Sequence, residues 1–292
     1  HRAAGSATSI YENRKDIRAI LPDASERLVN TLKDFDEALK RAETEKEFAD
    51  KKNVKCITIN SADYPQRLCE CDDAPLVLYY CGNANLNSSR IINVIGTRHC
   101  TEYGRDVCHN LITDLQRYYP DTLIVSGLAY GIDICAHRTA LECGMQTVGV
   151  LAHGLDRIYP SVHRTTAASM VRQGGLLTEY MSGTTPEKLN FVRRNRIVAG
   201  MSDATIVVES ASRGGALITA ELAESYHRDV FAFPGRVCDK YSEGCNRLIK
   251  TNRATLIQSA EDLLLAMRWP NPLAHNATPV QQTLFPSLTE EE

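Results

Sequence analysis

From residue 91 onward the chain alternates two textures. Short apolar runs of strand length at 91–96 (IINVIG), 122–126 (TLIVS), 147–152 (TVGVLA), 175–180 (GLLTEY), 204–210 (ATIVVES) and 230–233 (VFAF) are separated by amphipathic stretches at 101–118, 130–143, 161–173, 186–201 and 215–227. The runs are largely apolar throughout rather than at every second position, so both faces of each strand are expected to be covered. That is the condition of a parallel sheet wrapped by helices on both sides. The predicted fold class is α/β: a Rossmann-like doubly wound, mostly parallel sheet, with ligands expected outside the carboxyl ends of the strands.

The chain before this domain has a different rhythm. Ile10, Ile17, Ile20 and Leu21, then Leu28, Leu32, Phe35 and Leu39, recur at steps of three or four with charges between them, and Pro22 separates the two groups. Residues 1–50 are therefore read as a small helical accessory region. Residues 51–88, with VKCITI and APLVLYYCG, read as a lead-in segment of some strand character, and 89–268 as the main domain. Residues 269–292 are proline-rich and polar without a period, as expected of a linker or tail.

Composition narrows the function classes. A net charge of −3 argues against a protein that coats polyanions indiscriminately, so any such binding must be focal. No run approaches the roughly eighteen apolar residues of a membrane span, and the N-terminus has no secretory-signal pattern, so the chain is expected to be cytoplasmic. The ten cysteines form no C-x-x-C pair and have no histidine pair at ligand spacing; they are expected to be reduced and packed as small hydrophobes, with no metal site.

The candidate chemistry lies at strand-to-helix turns. Gly96-Thr97-Arg98 follows the first strand, Ser126-Gly127-Leu128-Ala129-Tyr130-Gly131 the second, Gly154-Leu155-Asp156 the third, and Arg213-Gly214-Gly215 the fifth. Glycines there allow close backbone approach to a phosphate or simply permit tight turns, and for any one turn the two readings are even. The dinucleotide fingerprint and the Walker sequence are both absent, which disfavours hydride transfer and nucleotide hydrolysis. Asp133 and His137, four apart on one expected helix, are read as a hydrogen-bonded structural pair. In 188–200 (KLNFVRRNRIVAG), Lys188, Arg193, Arg194 and Arg196 surround Phe191 with no acidic residue among them. A solvated helix face normally interleaves carboxylates, whereas guanidinium forks beside an aromatic ring suit phosphates and an unpaired base.

The ordered set Gly96-Thr97-Arg98, SGLAYGID, GLDRIYP, FVRRNRIVAG, RGGALITAELA, VFAFPG and GCNRLI resembles the DNA processing protein A family, DprA or Smf, over roughly residues 54–265. The resemblance implies a homodimeric protein that binds single-stranded DNA without strong sequence preference and helps load RecA recombinase during natural transformation, with no catalytic activity and no cofactor. It assigns a phosphate contact to Arg98, a DNA-contacting lysine to Lys188, a base-contacting ring to Phe191, a glycine turn to Ser126, Gly127 and Gly131, and an R-N-R segment to Arg194, Asn195 and Arg196. The winged-helix module that many members carry does not occur within these residues. The alternative is a Rossmann-like nucleoside monophosphate hydrolase using Glu209 beside Gly214 and Gly215, although the spacing of Thr219 and Glu221 matches that group only in part; a nicotinamide-dependent dehydrogenase is weaker still.

Overall fold

The computed structural model describes residues 4–33 and 35–273, and the chain divides into a unit of residues 1–56 and a unit of residues 57–292. The greater part of the expected tail, 274–292, lies outside the described residues.

The first unit holds α1 (Ala7–Glu12), a 3-10 turn at Arg14–Ala19, α2 (Glu26–Lys33) and α3 (Asp36–Lys52). Ser6 caps α1 by accepting from the Ser9 amide at 3.0 Å. The first periodic group does not make one helix: Asp16, at φ −131° and ψ 57°, breaks it and leaves Ile17 buried on a single tight turn.

The second unit begins within β1 (Lys55–Thr58) and continues through α4 (Gln66–Cys69), β2 (Val77–Gly82), β3 (Ile91–Ile95), α5 (Glu102–Tyr118), β4 (Leu123–Ser126), α6 (Ile132–Glu142), β5 (Thr147–Val150), α7 (Arg164–Gln173), β6 (Gly175–Thr178), α8 (Lys188–Gly200), β7 (Ala204–Val207), α9 (Gly215–Ser225), β8 (Asp229–Ala232), α10 (Glu243–Lys250), β9 (Thr255–Leu256) and α11 (Ala260–Ala266). The nine strands order as β1-β2-β6-β5-β4-β3-β7-β8-β9. From β6 to β9 neighbouring strands run parallel, while β2 lies antiparallel on β6 with Tyr79 opposite Thr178. Every residue of β3, β4, β5, β6 and β7 is buried, as uninterrupted apolar runs require.

Successive residues feed opposite layers. Ile91, Ile95, Val125 and Val207 pack with Ile197 and Val198 of α8 and Ala220 and Ala223 of α9, whereas Ile92, Val94, Ile124 and Ile206 pack with Leu111 and Leu115 of α5, Ala136 of α6 and Leu263 of α11. Strand order grows in one direction from β3 to β6, then α8 returns the chain to place β7 on the other side of β3. The crevice outside β3 and β7 is thus the topological switch point, where ligands of open α/β sheets bind. Among the described residues no helix is long and apolar enough to cross a membrane.

Candidate nucleic-acid interface

Three turns are stitched together at this switch point. The Thr97 amide donates to the Glu209 carbonyl at 2.8 Å, and the Ile132 amide donates to the Thr97 carbonyl at 3.2 Å. Gly131 adopts φ +81°, and a Cβ there would overlap the Thr97 carbonyl, so glycine is required both by backbone region and by close approach.

These turns, α8, the start of α9 and Arg247 of α10 enclose a cleft of about 890 Å³. Its charged side chains are the cations Arg98, Lys188, Arg194, Arg213 and Arg247 and the carboxylates Asp133 and Glu221. Glu221 is engaged by Arg253 at 3.2 Å, and Asp133 is buried beside Arg194. Among the described residues none of Arg98, Lys188, Arg213 and Arg247 forms an ion pair with a carboxylate, and all four are exposed. Lys188 is moreover the first residue of α8, whose first turn holds no acidic residue and whose Glu187 cap makes no side-chain capping bond. A cation at a helix N-terminus opposes the macrodipole, by roughly 0.3–1 kcal/mol where such effects are measured, so local stability does not explain its position.

Phe191 is half-buried between two neighbours: the Arg98 guanidinium lies 5.4 Å from its ring centroid, and the Tyr159 ring, tilted by 56°, lies 5.8 Å away. Arg98, Gly127, Lys188, Phe191, Arg194 and Asn195 all line the cleft.

Arg194 plays a different part from its exposed neighbours. It is 5% exposed, and its Nη1 donates to the Val150 carbonyl at the end of β5. Burial pushes the Asp133 carboxyl up against the opposing pull of Arg194, and burial likewise lowers the Arg194 guanidinium. A Cβ on Gly127 would stand 2.5 Å from both Arg194 Nη1 and Asp133 Oδ2, so this glycine is where the guanidinium and the carboxylate converge on the main chain.

Ser126, Gly131 and Arg196 do not line the cleft. The Ser126 hydroxyl is fully buried and donates to the Val94 carbonyl at 2.7 Å. Arg196 pairs with Glu179 and donates to the Asp73 carbonyl at 2.6 Å, so its charge is already neutralised. The expected Asp133–His137 bond is also replaced: His137 Nδ1 meets Thr147 Oγ1 at 2.7 Å, while Asp133 faces Arg194. Glu209 is 2% exposed and accepts from the Thr101 hydroxyl at 2.6 Å and the Thr101 amide at 2.9 Å, which secures the entry to α5. Sequence reasoning placed Arg213 only in a glycine-rich turn and gave no role to the Tyr159 or Arg247 side chain, although the motifs RGGALITAELA, GLDRIYP and GCNRLI contain them. Their meeting at one cleft depends on chain crossings that spacing does not encode.

Residues 55–268 match the DNA recombination-mediator protein A family. The chain belongs to that family. It is 40% identical over 201 residues to DNA processing protein DprA of Streptococcus pneumoniae, covering 69% of this chain and 70% of that protein. It is 38% identical over 220 residues to protein Smf of Synechocystis sp., covering 74% of this chain and 54% of the relative. Among solved structures of the family, Streptococcus pneumoniae DNA processing protein A superposes with a TM-score of 0.76 at 36% identity, over 87% of this chain and 86% of that one. Helicobacter pylori DNA processing protein A, whose structure describes a single-stranded DNA binding mode, superposes with a TM-score of 0.66 at 28% identity, over 74% of this chain and 95% of that one.

Proposed function

We propose that the cleft at the switch point binds single-stranded DNA without strong base preference. The observation that carries this reading is the grouping of Arg98 and Lys188, both exposed and without a carboxylate partner among the described residues, around the Phe191 ring in one concave site. Arg98 and Lys188 would hold backbone phosphates, and Phe191 would offer an aromatic face to an unpaired base. Stacking of this kind contributes about 1–3 kcal/mol per base and accepts any base. Duplex DNA, with its bases stacked inward, would reach the ring only after unpairing. The buried Arg194 would act by holding the Gly127 turn and adding positive potential, and Asn195, bonded at 3.4 Å to the Gly215 carbonyl, by fixing the start of α9.

The same reading makes the chain a binding protein rather than an enzyme, because the acidic residue on which the hydrolase alternative depends is held by Thr101. The Helicobacter pylori relative's single-stranded DNA binding supports the ligand class. Membership of a recombination-mediator family supports a cytoplasmic homodimer that passes the strand to RecA recombinase during transformation.

The test is fluorescence anisotropy with a labelled oligothymidine. The parent is expected to bind it in preference to duplex, with affinity falling steeply as salt rises. The double variant Arg98→Glu/Lys188→Glu is expected to lose binding while keeping its thermal transition, since both side chains are exposed. Parental affinity in the double variant would overturn the site.

A further inference from the structure

We propose that Arg213 and Arg247 form a second phosphate subsite, on the α9–α10 wall of the same cleft, which grips the backbone of the strand beyond the nucleotide at Phe191. The proposal rests on the single-stranded DNA reading above and adds to it the path the strand takes.

Both guanidinium groups line the cleft, are exposed and, among the described residues, have no carboxylate partner. Three arginines of the same unit are by contrast held by carboxylates: Arg67 by Asp203 at 2.6 Å, Arg228 by Glu70 at 2.8 Å, and Arg253 by Glu224 at 2.6 Å and Glu221 at 3.2 Å. Glu221 is the exposed carboxylate of this cleft, and its engagement with Arg253 leaves the wall positive.

The two arginines are also held by a rigid frame. The Ser210 amide donates to the Tyr241 carbonyl at 2.7 Å, and the Gly244 amide donates to the Ser210 carbonyl at 2.8 Å, which clips the start of α10 to the turn after β7. Gly244 permits that contact, since a Cβ there would lie 2.8 Å from the Ser210 carbonyl. Arg247 stands three residues further along α10, on the same helix face, and so meets the cleft beside the turn that carries Arg213. Next to Arg213, Gly214 opens to empty space: apart from its chain neighbours, no atom lies within 4 Å of where its Cβ would be. Exposed main chain beside guanidinium forks that have no carboxylate partner among the described residues offers the charge and paired donors that match a phosphodiester.

The test compares the parent with Arg213→Gln/Arg247→Gln by anisotropy, using oligothymidines of graded length over a series of salt concentrations. If each arginine neutralises one phosphate, the log–log salt slope on a long oligonucleotide falls by about 1.4 in the variant, from roughly 0.7 per phosphate of a single strand. Affinity of the variant is also expected to stop rising at a shorter oligonucleotide than the parent requires. Free inorganic phosphate is the control for a generic anion site, and competition by it at concentrations equal to those of nucleotide phosphate would overturn a strand-specific subsite. If the parent binds and the variant shows the same slope and length profile, the subsite is wrong and the Phe191 site stands. Failure of the parent itself to bind would remove both.

Discussion

Gly127 shows how one residue can be read in two ways. At the end of a buried strand a glycine invites a phosphate-cradle interpretation, yet the atoms nearest its missing Cβ are Arg194 Nη1 and Asp133 Oδ2, each at 2.5 Å. Both are buried side chains whose mutual attraction offsets part of their desolvation. Gly127→Ala should force the two charges off the main chain and lower stability by about 1–3 kcal/mol, the usual cost of overpacking. An unchanged urea midpoint would show that the pair can shift freely. Arg98, Lys188 and Phe191 were legible in sequence because exposed chemistry of this kind is local: a rim arginine after a strand, and a cationic helix start without carboxylates. Arg194 and Arg196 lie in the same run but were not distinguishable from them. Their partners are the Val150 carbonyl and Glu179, which belong to β5 and to the segment after β6, and no spacing rule within α8 points there.

Among the elements, the alternation of apolar runs and amphipathic stretches carried most of the architecture, and the expected ranges differ from the observed strands and helices mainly at their ends. Strand direction was less accessible. β2 pairs antiparallel with β6, with Tyr79 opposite Thr178, a partner so distant in sequence that pattern alone cannot choose it. The two-residue β9 is too short to show a period at all. The entry to α5 illustrates a related gap, because Glu209 reads in sequence as an acid beside a glycine turn and proves to be a cap reaching from another element. Its carboxylate accepts two hydrogen bonds from Thr101, whose hydroxyl in turn accepts from the Gly104 amide at 3.2 Å. Glu209→Gln removes the negative charge that strengthens both bonds and forces the Thr101 hydroxyl to turn from donor to acceptor, which should cost about 1–3 kcal/mol as a lower melting temperature. Oligonucleotide binding at the proposed site should survive, since Glu209 does not line that cleft. Should the parent release free base from a nucleoside monophosphate, and the stable variant not, Glu209 would be a catalytic residue instead.

For the molecule as a whole, a net charge of −3 coexists with a cleft whose exposed cations Arg98, Lys188, Arg213 and Arg247 have no carboxylate partner among the described residues, whereas Arg67, Arg196, Arg228 and Arg253 are each paired with one, so attraction for a polyanion is favoured at this edge of the sheet. Burial of polar groups beneath that edge also sets how stability responds to acid. His137 is fully buried, with Nδ1 against the Thr147 hydroxyl, and burial lowers its imidazole from 6.5 to about 3. The unfolded chain therefore takes up this proton near pH 6.5 while the folded chain does not until about pH 3, so stability is lost as pH falls through that window. The slope from this single group is at most about 1.4 kcal/mol per pH unit. His153, also lowered by burial, acts with the same sign, whereas burial raises the Asp133 and Glu179 carboxyls, which favours the folded state as they protonate. Subtracting a His137→Gln variant removes these shared contributions. In urea unfolding the parent's advantage over the variant should shrink steadily from pH 7 to pH 4.5, because only the parent carries a buried imidazole that must stay neutral. A difference that stays constant across that range would mean that His137 is protonated in the fold or reached by water, and the buried Thr147 bond would then have to be reassigned.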